Sequence, residues 1–593
     1  KWFFDRQLGY MYFRYFLWNF GGRESDIEGA NYLRPWEVST KGLPHELQNN
    51  KGRNQYFWLP LFLGILGLIF HFGKDRQAFA IVGLLYLFTG IALVVFLNSP
   101  PVEPRERDYI YVGSYYAFAM WMGLGVLALG DLFKKLKNQT LAASLAVALG
   151  LVPPVIMAAQ NWDDHDRSNR YHSVDSAKNL LASCAKNAIL FTGGDNDTFP
   201  LWYVQEVEGF RTDVRVCNLS LLGTDWYVEQ MKRKTYESAP LPIKFRFEQF
   251  IQGTNDQVLF SEKQGIKYKG IPGMNLLEYM ELLKKDDPGL KMELNNNKQI
   301  NILPTEKMIV PLDSVALMQA SFIPENIKRN VKPYMTWDLP KNDIFKPDLM
   351  ILEMIANNAK DGWKRPIYFS STLGQSNYLN LFEYFQVEGL TYRLMPVKVT
   401  GATSGYVNTN LMYENMTKNM YWRELDNPKV YYDENYRRFP YSARLNFYRL
   451  ASELYNESET AADEKEKTDK REKAKNAIKY CFDKMPDNVI PYDRVCINFV
   501  PLLHNLGETK KSGEMATVMA DRAVSSLDYY VALMEKAKQK DKENYLNDVQ
   551  DDLVLLNRLQ DFYKGKDKVQ EDKYNKLFEK YYQKLKNMGL FSE

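Results

Sequence analysis

Four long apolar runs near the start of the chain constrain its fold more than any other feature. They cover residues 56–72, 78–97, 109–132 and 140–160 and contain few or no charges. Each has roughly 17–24 residues, enough to cross a hydrocarbon core about 30 Å thick as a helix. Helices buried in a soluble core would carry polar residues along one outer face, and these runs lack such a face. The runs therefore predict four transmembrane helices over residues 56–160.

The rest of the chain is polar, because the mean hydropathy of the whole is −0.41 despite these runs. A length of 593 residues predicts several domains. The 76 basic and 73 acidic residues are interspersed and give a net charge of +3, so we expect no nucleic-acid partner. The four cysteines lack the spacing of a disulfide framework or a metal site, which favours buried free thiols.

The short links between the apolar runs carry the orientation signal. Lys74 and Arg76 lie in the first link, and Lys134, Lys135 and Lys137 lie in the third. The positive-inside bias places both links in the cytoplasm, so both ends of the chain are expected outside. The sequence therefore predicts an integral membrane protein with large extracytoplasmic domains.

Residues 1–55 are expected to form an interfacial helix followed by an extracytoplasmic loop. An aromatic stretch over residues 2–20 is interrupted by Asp5, Arg6 and Arg14, which is typical of a helix lying among lipid headgroups. The polar stretch that follows predicts an extracytoplasmic loop. It is either a simple connection or one wall of a site for a lipid substrate.

Strand and helix patterns alternate over residues 161–400. Short apolar runs at 188–192, 214–219, 366–371 and 390–397 predict strands, with helices between them, including one over 378–386. We expect an α/β domain with a mostly parallel sheet and an insertion at about 240–334.

Two strings in this part of the chain are alike. They are YVQEVEGF at 203–210 and YFQVEGL at 384–390. They indicate either a repeated unit or a chance likeness of two amphipathic helices.

Residues 411–593 have apolar spacing of helical type over 443–455, 472–485, 515–536 and 544–564. This predicts an irregular α-helical hairpin domain that is tetratricopeptide-like. Such a domain usually provides a docking surface.

The first candidate site is the string GGDNDTFP at 193–200, directly after a predicted strand. Ligands bind at the carboxyl ends of strands in open α/β sheets. Asp195, Asn196 and Asp197 could hold a divalent cation or a sugar hydroxyl there. The alternative is a turn that caps the helix beginning near Pro200.

The second candidate site is the proline-rich loop that opens the third apolar run. Arg105 and Arg107 lie there at headgroup depth, and arginine suits bidentate contact with phosphate. We predict that they lie near the phosphate of a lipid-linked donor. The alternative is pairing with Glu103, Glu106 or Asp108, or with ordinary lipid headgroups.

Three long strings carry a resemblance to a known family. They are PRERDYIYVGSYYAFAMWMGLG at 104–125, NWDDHDRSNRY at 161–171 and GGDNDTFPLWYVQEVEGFRTDVRVCNLSLLGTDWY at 193–227. With them the chain resembles large bacterial membrane proteins related to an animal transmembrane protein O-mannosyltransferase. The resemblance implies a GT-C-type glycosyltransferase with a polyprenyl-phosphate sugar as donor. It also implies that the catalytic carboxylate lies outside this chain, so no catalytic residue is assigned.

The predicted function is therefore part of a membrane glycosyltransferase. It would transfer a sugar from a polyprenyl-phosphate carrier to an extracytoplasmic protein or glycan, with protein O-mannosylation as the implied reaction and membrane lipid as a further partner. The resemblance also implies a bacterial inner membrane as the location, with large periplasmic domains. The alternative is a non-enzymatic, membrane-anchored envelope protein that binds partners through its α/β and helical domains.

Overall fold

The computed structural model describes residues 2–100, 103, 105–261, 273–294, 299–340, 343–537, 542 and 545–590. The chain divides into two compact units. Unit one comprises Lys1–Asn169, Pro428–Arg438 and Tyr492–Glu593. Unit two comprises Arg170–Asn427 and Phe439–Pro491.

Unit one begins with helices and one small antiparallel strand pair. A π-helical segment, Phe3–Phe13, continues directly into the first α-helix. The helices are α1 (Arg14–Phe20), α2 (His45–Gln48), α3 (Leu59–Lys74), α4 (Arg76–Thr89), α5 (Ile91–Leu97), α6 (Val112–Phe133) and α7 (Gln139–His165), and the strands are β1 (Gly22–Arg23) and β2 (Asn54–Gln55).

Within the described residues, three helical segments are long and apolar enough to cross a membrane. They are Arg76–Leu97, Asp108–Phe133 and Gln139–His165. The first predicted span forms the shorter apolar helix α3, with 16 residues. A helix of that length falls just below the roughly 17 residues needed to cross the hydrocarbon core, so four spans are not shown.

The apolar helices approach each other closely through glycine. A Cβ atom placed on Gly67 of α3 would overlap the Trp121 carbonyl oxygen of α6, and one on Gly125 of α6 would overlap the Leu63 carbonyl oxygen of α3. Small residues that allow backbones to approach are typical of helix pairs in membranes. The α3–α6 contact therefore depends on the absence of side chains at these glycines.

The aromatic segment at the start of the chain packs against these helices. Tyr12, Phe16 and Phe20 are buried beside aromatic side chains of α6 and its neighbours, including Phe118. The prediction that this segment lies among headgroups stays a prediction. In the structure its aromatic face forms part of the interior of unit one.

Charged links lie together at one end of the apolar helices. Asp131, near the end of α6, pairs with Lys74 at 3.1 Å and with Lys134 at 2.5 Å. At the opposite end of α7, Asn161 bonds to the side chains of Asn54 and Tyr56. The two lysine-bearing links therefore share one end of the helices, as the orientation argument requires.

Unit two contains a six-stranded sheet in the order β15-β13-β14-β12-β3-β4. Its strands are β3 (Ile189–Thr192), β4 (Arg215–Asn218), β12 (Ile367–Ser370), β13 (Phe385–Val387), β14 (Thr391–Leu394) and β15 (Tyr406–Val407). Strands β12, β3 and β4 are parallel neighbours, whereas β14 is antiparallel to both β12 and β13. The predicted α/β fold is confirmed, and the predicted mostly parallel sheet is mixed, because β14 is antiparallel to both of its neighbours.

Unit two also contains α-helices up to residue 427. They are α8 (His172–Ala182), α9 (Asp195–Glu206), α10 (Asp225–Met231), α11 (Leu276–Lys284), α12 (Ser314–Gln319), α13 (Lys346–Lys360) and α14 (Thr409–Glu414). Helix α13 is buried along most of its length, so it forms the centre of the apolar core.

Between α10 and α13 the chain forms two smaller sheets. Their orders are β11-β5-β8-β7 and β10-β9-β6. The strands are β5 (Gln257–Phe260), β6 (Met274–Asn275), β7 (Lys291–Glu293), β8 (Gln299–Leu303), β9 (Lys307–Pro311), β10 (Tyr334–Asp338) and β11 (Ile344–Phe345). They occupy most of the predicted insertion and extend beyond its predicted end.

The carboxy-terminal part is helical, but it divides between the two units. Its helices are α15 (Glu434–Thr460), α16 (Glu464–Lys484), α17 (Phe499–Asn505), α18 (Thr509–Lys536), α19 (Leu546–Tyr563) and α20 (Lys568–Asn587). Residues 439–491 cluster with unit two and residues 492–593 with unit one. The tetratricopeptide likeness stays a prediction.

The interpretation of the two similar strings as repeated helices is wrong. Tyr203 and Gln205 lie in helix α9, whereas the second string forms strand β13. The helix predicted over 378–386 is absent from this described segment, because Leu379 and Asn380 have positive φ angles of 49° and 59°. A left-handed backbone cannot continue an α-helix, so the likeness is one of sequence alone.

Candidate functional sites

The first candidate site lies where three parallel strands end. Strands β12, β3 and β4 are followed by polar residues, and parallel strands bring their carboxyl ends to the same edge of the sheet. Thr192 and Thr198 join their hydroxyls at 2.7 Å, and Asn218 donates to Thr198 at 2.8 Å. The ends of β3 and β4 are thus linked by buried side chains.

Asp197 joins this edge to the third strand. Its Oδ2 accepts a hydrogen bond from the Gly193 backbone N–H at 3.1 Å and another from the Thr372 hydroxyl, just beyond β12, at 2.8 Å. The side chain is buried. Asp197 therefore acts as a connector between strand ends, with one oxygen already occupied by two donors.

Asp195 and Asn196 are exposed in the first turn of helix α9. The helix begins at Asp195, five residues before the predicted start, with Pro200 inside it. Carboxylates in the first turn are favoured by the helix dipole. Because they place negative charge at this N-terminus, the position suits a sugar hydroxyl or a cation better than a phosphate.

The described carboxylates at this site do not form a cluster of metal ligands. Among the described residues, no group of three or more His, Cys, Asp or Glu side chains could hold a metal ion. Asp195 and Asp197 alone could supply carboxylate oxygens, and Asp197 is engaged elsewhere. The two clefts described below are not lined by either residue.

The second candidate site is the loop before α6. Arg107 donates through Nε to Glu103 at 2.8 Å, which is the pairing considered as the alternative. Arg105 is exposed, and its guanidinium carbon lies 6.0 Å from the Tyr109 ring centroid. Arg105 is therefore the more available of the two arginines for a phosphate.

Sequence reasoning missed the partly buried ion pair that anchors this loop. Arg14 donates to both oxygens of Glu106, at 3.1 and 2.8 Å, and also to the Ala30 carbonyl at 2.7 Å. Burial raises the pKa of Glu106, but the Arg14 hydrogen bonds and charge outweigh it and hold the pKa below its usual range. The sequence contains one signal for this pair. Arg14 is a charged residue within an aromatic stretch, and a charge in such surroundings indicates a partner of opposite charge.

A polar cleft in unit two was also missed. It has a volume of about 700 Å³ and lies beside β13 and β15, lined partly by α15 and α16. Glu388 at its base is 2% exposed and accepts hydrogen bonds from Tyr368 and Gln386, both at 2.6 Å. The side-chain oxygen of Gln386 is buried without a partner among the described residues.

A second carboxylate lines the same cleft. Glu457 accepts from the Thr409 hydroxyl at 2.8 Å and from Lys470 at 2.5 Å. Phe322 adds an aromatic face, over which the Arg393 guanidinium lies 5.1 Å from the ring centroid. Paired carboxylates, an amide and an aromatic ring can together bind a polyhydroxylated ligand or a polar peptide segment.

All four cysteines are buried free thiols, as the sequence predicts. Burial raises the pKa of Cys217 to about 12, so this thiol is protonated and unreactive at neutral pH.

Taken together, these features define a multidomain protein that combines helices of membrane-spanning length with an α/β unit carrying polar clefts. Residues 173–411 match the family model of TMEM260-associated domain 2. This match covers the strand-end site and most residues of the cleft, and it is consistent with a relation to TMEM260. No solved structure matches the chain.

Proposed function

We propose that this chain forms part of a membrane glycosyltransferase that takes a sugar from a polyprenyl-phosphate donor. The acceptor is an extracytoplasmic protein or glycan, and protein O-mannosylation is the specific reaction. The observation that carries the proposal is the match of residues 173–411 to TMEM260-associated domain 2. The three apolar helices support it, because a polyprenyl donor is reached from within a membrane.

Arg105 is the proposed contact to the donor phosphate. Its guanidinium is exposed beside the start of a spanning segment, whereas Arg107 is paired with Glu103. The Arg14–Glu106 ion pair fixes the backbone next to Arg105 before any ligand binds. A fixed backbone lowers the entropy lost on binding.

Donor binding by the purified full-length protein tests this assignment. A charge-assisted hydrogen bond contributes roughly 1.5–3 kcal/mol, so Arg105→Ala should weaken binding of polyprenyl-phosphate mannose about tenfold or more. Arg107→Ala should have a smaller effect, because Arg107 already has a partner. Arg34→Ala removes another exposed loop arginine and serves as the matched control. If Arg105→Ala and Arg34→Ala bind the donor equally, the phosphate contact is wrong.

The polar cleft of unit two is the proposed acceptor site. Its carboxylates and amide supply acceptors and donors for hydroxyl or peptide groups, and Phe322 supplies an apolar face. In a transfer assay with radiolabelled donor, Gln386→Leu should raise the KM for the acceptor while donor binding stays unchanged. Unchanged KM, with normal folding, would place acceptor selection elsewhere.

We propose that the chain lies in a bacterial inner membrane with both units' polar parts in the periplasm. Cysteine labelling tests this orientation, because the four native thiols are buried. Asn138→Cys, in a lysine-bearing link, should react only from the cytoplasm. Ser512 is a poor reporter because it is 1% exposed and donates to the Val500 carbonyl. Lys510→Cys, with its 90%-exposed side chain, should react only from outside.

A membrane-anchored binding protein is the second candidate function. This function is favoured by the hydrogen bonds of Asp197. Its Oδ2 accepts from the Gly193 N–H and the Thr372 hydroxyl, so it joins strand ends instead of contacting a ligand as predicted. Sugar transfer by the full-length protein distinguishes the two. If an acceptor binds but receives no sugar from any polyprenyl-phosphate donor, the protein is a membrane-anchored binding protein and the proposed glycosyl transfer is wrong.

A further inference from the structure

A small cationic pocket lies in unit two, apart from the sites above. It has a volume of about 340 Å³ and lies between strand β10 and the segment that follows β14. Arg329, Lys332 and Lys398 line it, and no Asp or Glu does. Such a pocket is at the small end of the ~300–1,000 Å³ range of ligand sites.

The positive charge in this pocket is mostly uncompensated. Lys398 pairs with Glu383 at 2.8 Å, and that carboxylate also accepts from the Gly401 N–H. Arg329 and Lys332 are exposed and make no ion pair with any residue that the structure describes. The lining thus contains three cations, and the carboxylates nearby, Glu383 and Asp338, act on Lys398.

The wall of the pocket is held in place before any ligand binds. Tyr384 accepts from the Thr336 N–H and donates to the Thr336 carbonyl, both at 2.8 Å. The Met395 N–H donates to the Tyr384 carbonyl at 2.8 Å, so the segment after β14 is also hydrogen-bonded to Tyr384. The Thr336 hydroxyl is buried and has no partner in the described part of the chain. A bound oxyanion would supply that partner.

We infer that this pocket binds the phosphate monoester of a small ligand, with the phosphate between Arg329 and Lys332. A phosphate monoester carries close to two negative charges at neutral pH, which complements Arg329 and Lys332, the two cations of the lining without an ion pair among the described residues. Arginine offers planar bidentate contact to phosphate and lysine a point charge. The remaining volume, bounded by Tyr334, holds a group about as large as one sugar ring. This inference does not depend on the proposed glycosyl transfer.

The test is binding of phosphate-bearing probes to the full-length protein by isothermal titration calorimetry. Glucose 6-phosphate should bind and glucose should not, and added salt should weaken the binding. The double variant Arg329→Gln/Lys332→Gln should lower the affinity about 100-fold, tenfold for each lost charge-assisted contact. Lys328→Gln is the matched control, because Lys328 lies next to Arg329 but pairs with Glu325 outside the pocket. Equal affinities of the double variant and the control, or absence of phosphate-dependent binding in the unaltered chain, would overturn the inference.

A second measurement needs no variant. Phenylglyoxal modification of Arg329, followed by mass spectrometry, should slow when glucose 6-phosphate is present, while modification of exposed Arg34 should not. Competition with dioctanoyl phosphatidic acid identifies the source of the phosphate. Protection of Arg329 by the lipid, with no protection by the sugar phosphate, assigns a lipid headgroup. Binding of the sugar phosphate alone assigns a soluble ligand. Equal modification rates with and without every phosphate probe would contradict the pocket.

Discussion

The two units solve the same packing problem with different residues. In unit one, helices α3 and α6 touch through glycine, with Gly67 and Gly125 each facing a backbone carbonyl of the other helix. In unit two, helix α13 is surrounded by large aliphatic side chains, yet it also carries Glu353, which is 0% exposed. In unit one the two helix backbones lie close together because the glycines carry no side chains. In unit two the interior is filled by side chains that include paired charges.

The difference follows from the surroundings of each interior. Burying apolar side chains from water stabilises unit two, so bulk is favoured there. Lipid tails are as apolar as leucine, so bulk gives little advantage between membrane helices, whereas close backbone contact does. Substitutions that add or remove a few atoms should therefore affect the two units in opposite ways.

The largest expected effect is at the glycine contact of unit one. In Gly125→Ala, the new methyl group would overlap the Leu63 carbonyl oxygen at well under 3.0 Å, and a backbone atom cannot move aside alone. We expect a loss of at least about 3 kcal/mol in stability, at the upper end of overpacking costs. The thermal unfolding midpoint of the full-length protein in mild detergent measures it.

Gly123→Ala provides the matched control on the same helix. A Cβ there meets nothing within 4 Å among the described residues. Because alanine favours helix over glycine by about 1 kcal/mol, this variant should be slightly more stable than the unaltered chain. Similar losses in the two variants would show that the close contact is not responsible.

The next effect is at the buried charge of unit two. Glu353 pairs with Lys284 at 3.1 Å and accepts from the Lys244 N–H at 3.0 Å. Glu353→Ala would leave both donors without this partner, so we expect a loss of about 2–3 kcal/mol. Lys284 also pairs with Glu281, which is 57% exposed, and Glu281→Ala should cost under about 0.5 kcal/mol. Equal costs would mean that burial of the pair contributes nothing.

Much of the fold could be predicted because its signal is local. The strand predicted over 188–192 is observed as Ile189–Thr192, and the apolar run at 140–160 lies within helix Gln139–His165. Apolar periodicity and length decide such elements without knowledge of their neighbours. Helix Lys568–Asn587 is not among the predicted helices. Its buried residues Tyr574, Tyr581 and Leu585 have helical spacing, so the sequence does contain a signal for it.

Other elements depend on distant residues. The segment 385–387 forms a strand because β14 and β15 lie on either side of it, and its sequence alone also fits a helix. The polar cleft brings Glu388, which directly follows strand β13, together with Glu457 and Lys470 of later helices. No local motif marks these residues, so only the folded chain shows that they share a site.

The smallest expected effect is a pH dependence in unit two. Asp213 accepts from Arg211 at 2.7 Å and from the Asn187 N–H at 2.8 Å, where the chain leads into strands β4 and β3. Burial raises the pKa of Asp213, but the Arg211 hydrogen bond and the Asn187 N–H outweigh it and lower the pKa below its usual range. The ionised carboxylate is therefore favoured in the folded chain.

A lowered folded-state pKa fixes the sign of the effect. The stabilisation by Asp213 is complete above the unfolded pKa of about 3.9 and is lost as the pH falls through the lower folded-state pKa. Asp213→Asn should cost about 1 kcal/mol at pH 7, because the ion pair is partly exposed, and the cost should shrink below about pH 4. Thermal unfolding midpoints of both chains between pH 7 and pH 3 give this difference. Asp426→Asn is the control, because Asp426 is exposed and makes no ion pair with any of the described residues. The unfolding midpoint of this control should follow that of the unaltered chain at every pH. If the difference between Asp213→Asn and the unaltered chain stays constant down to pH 3, the charge of the Asp213 carboxylate is not what stabilises these strands.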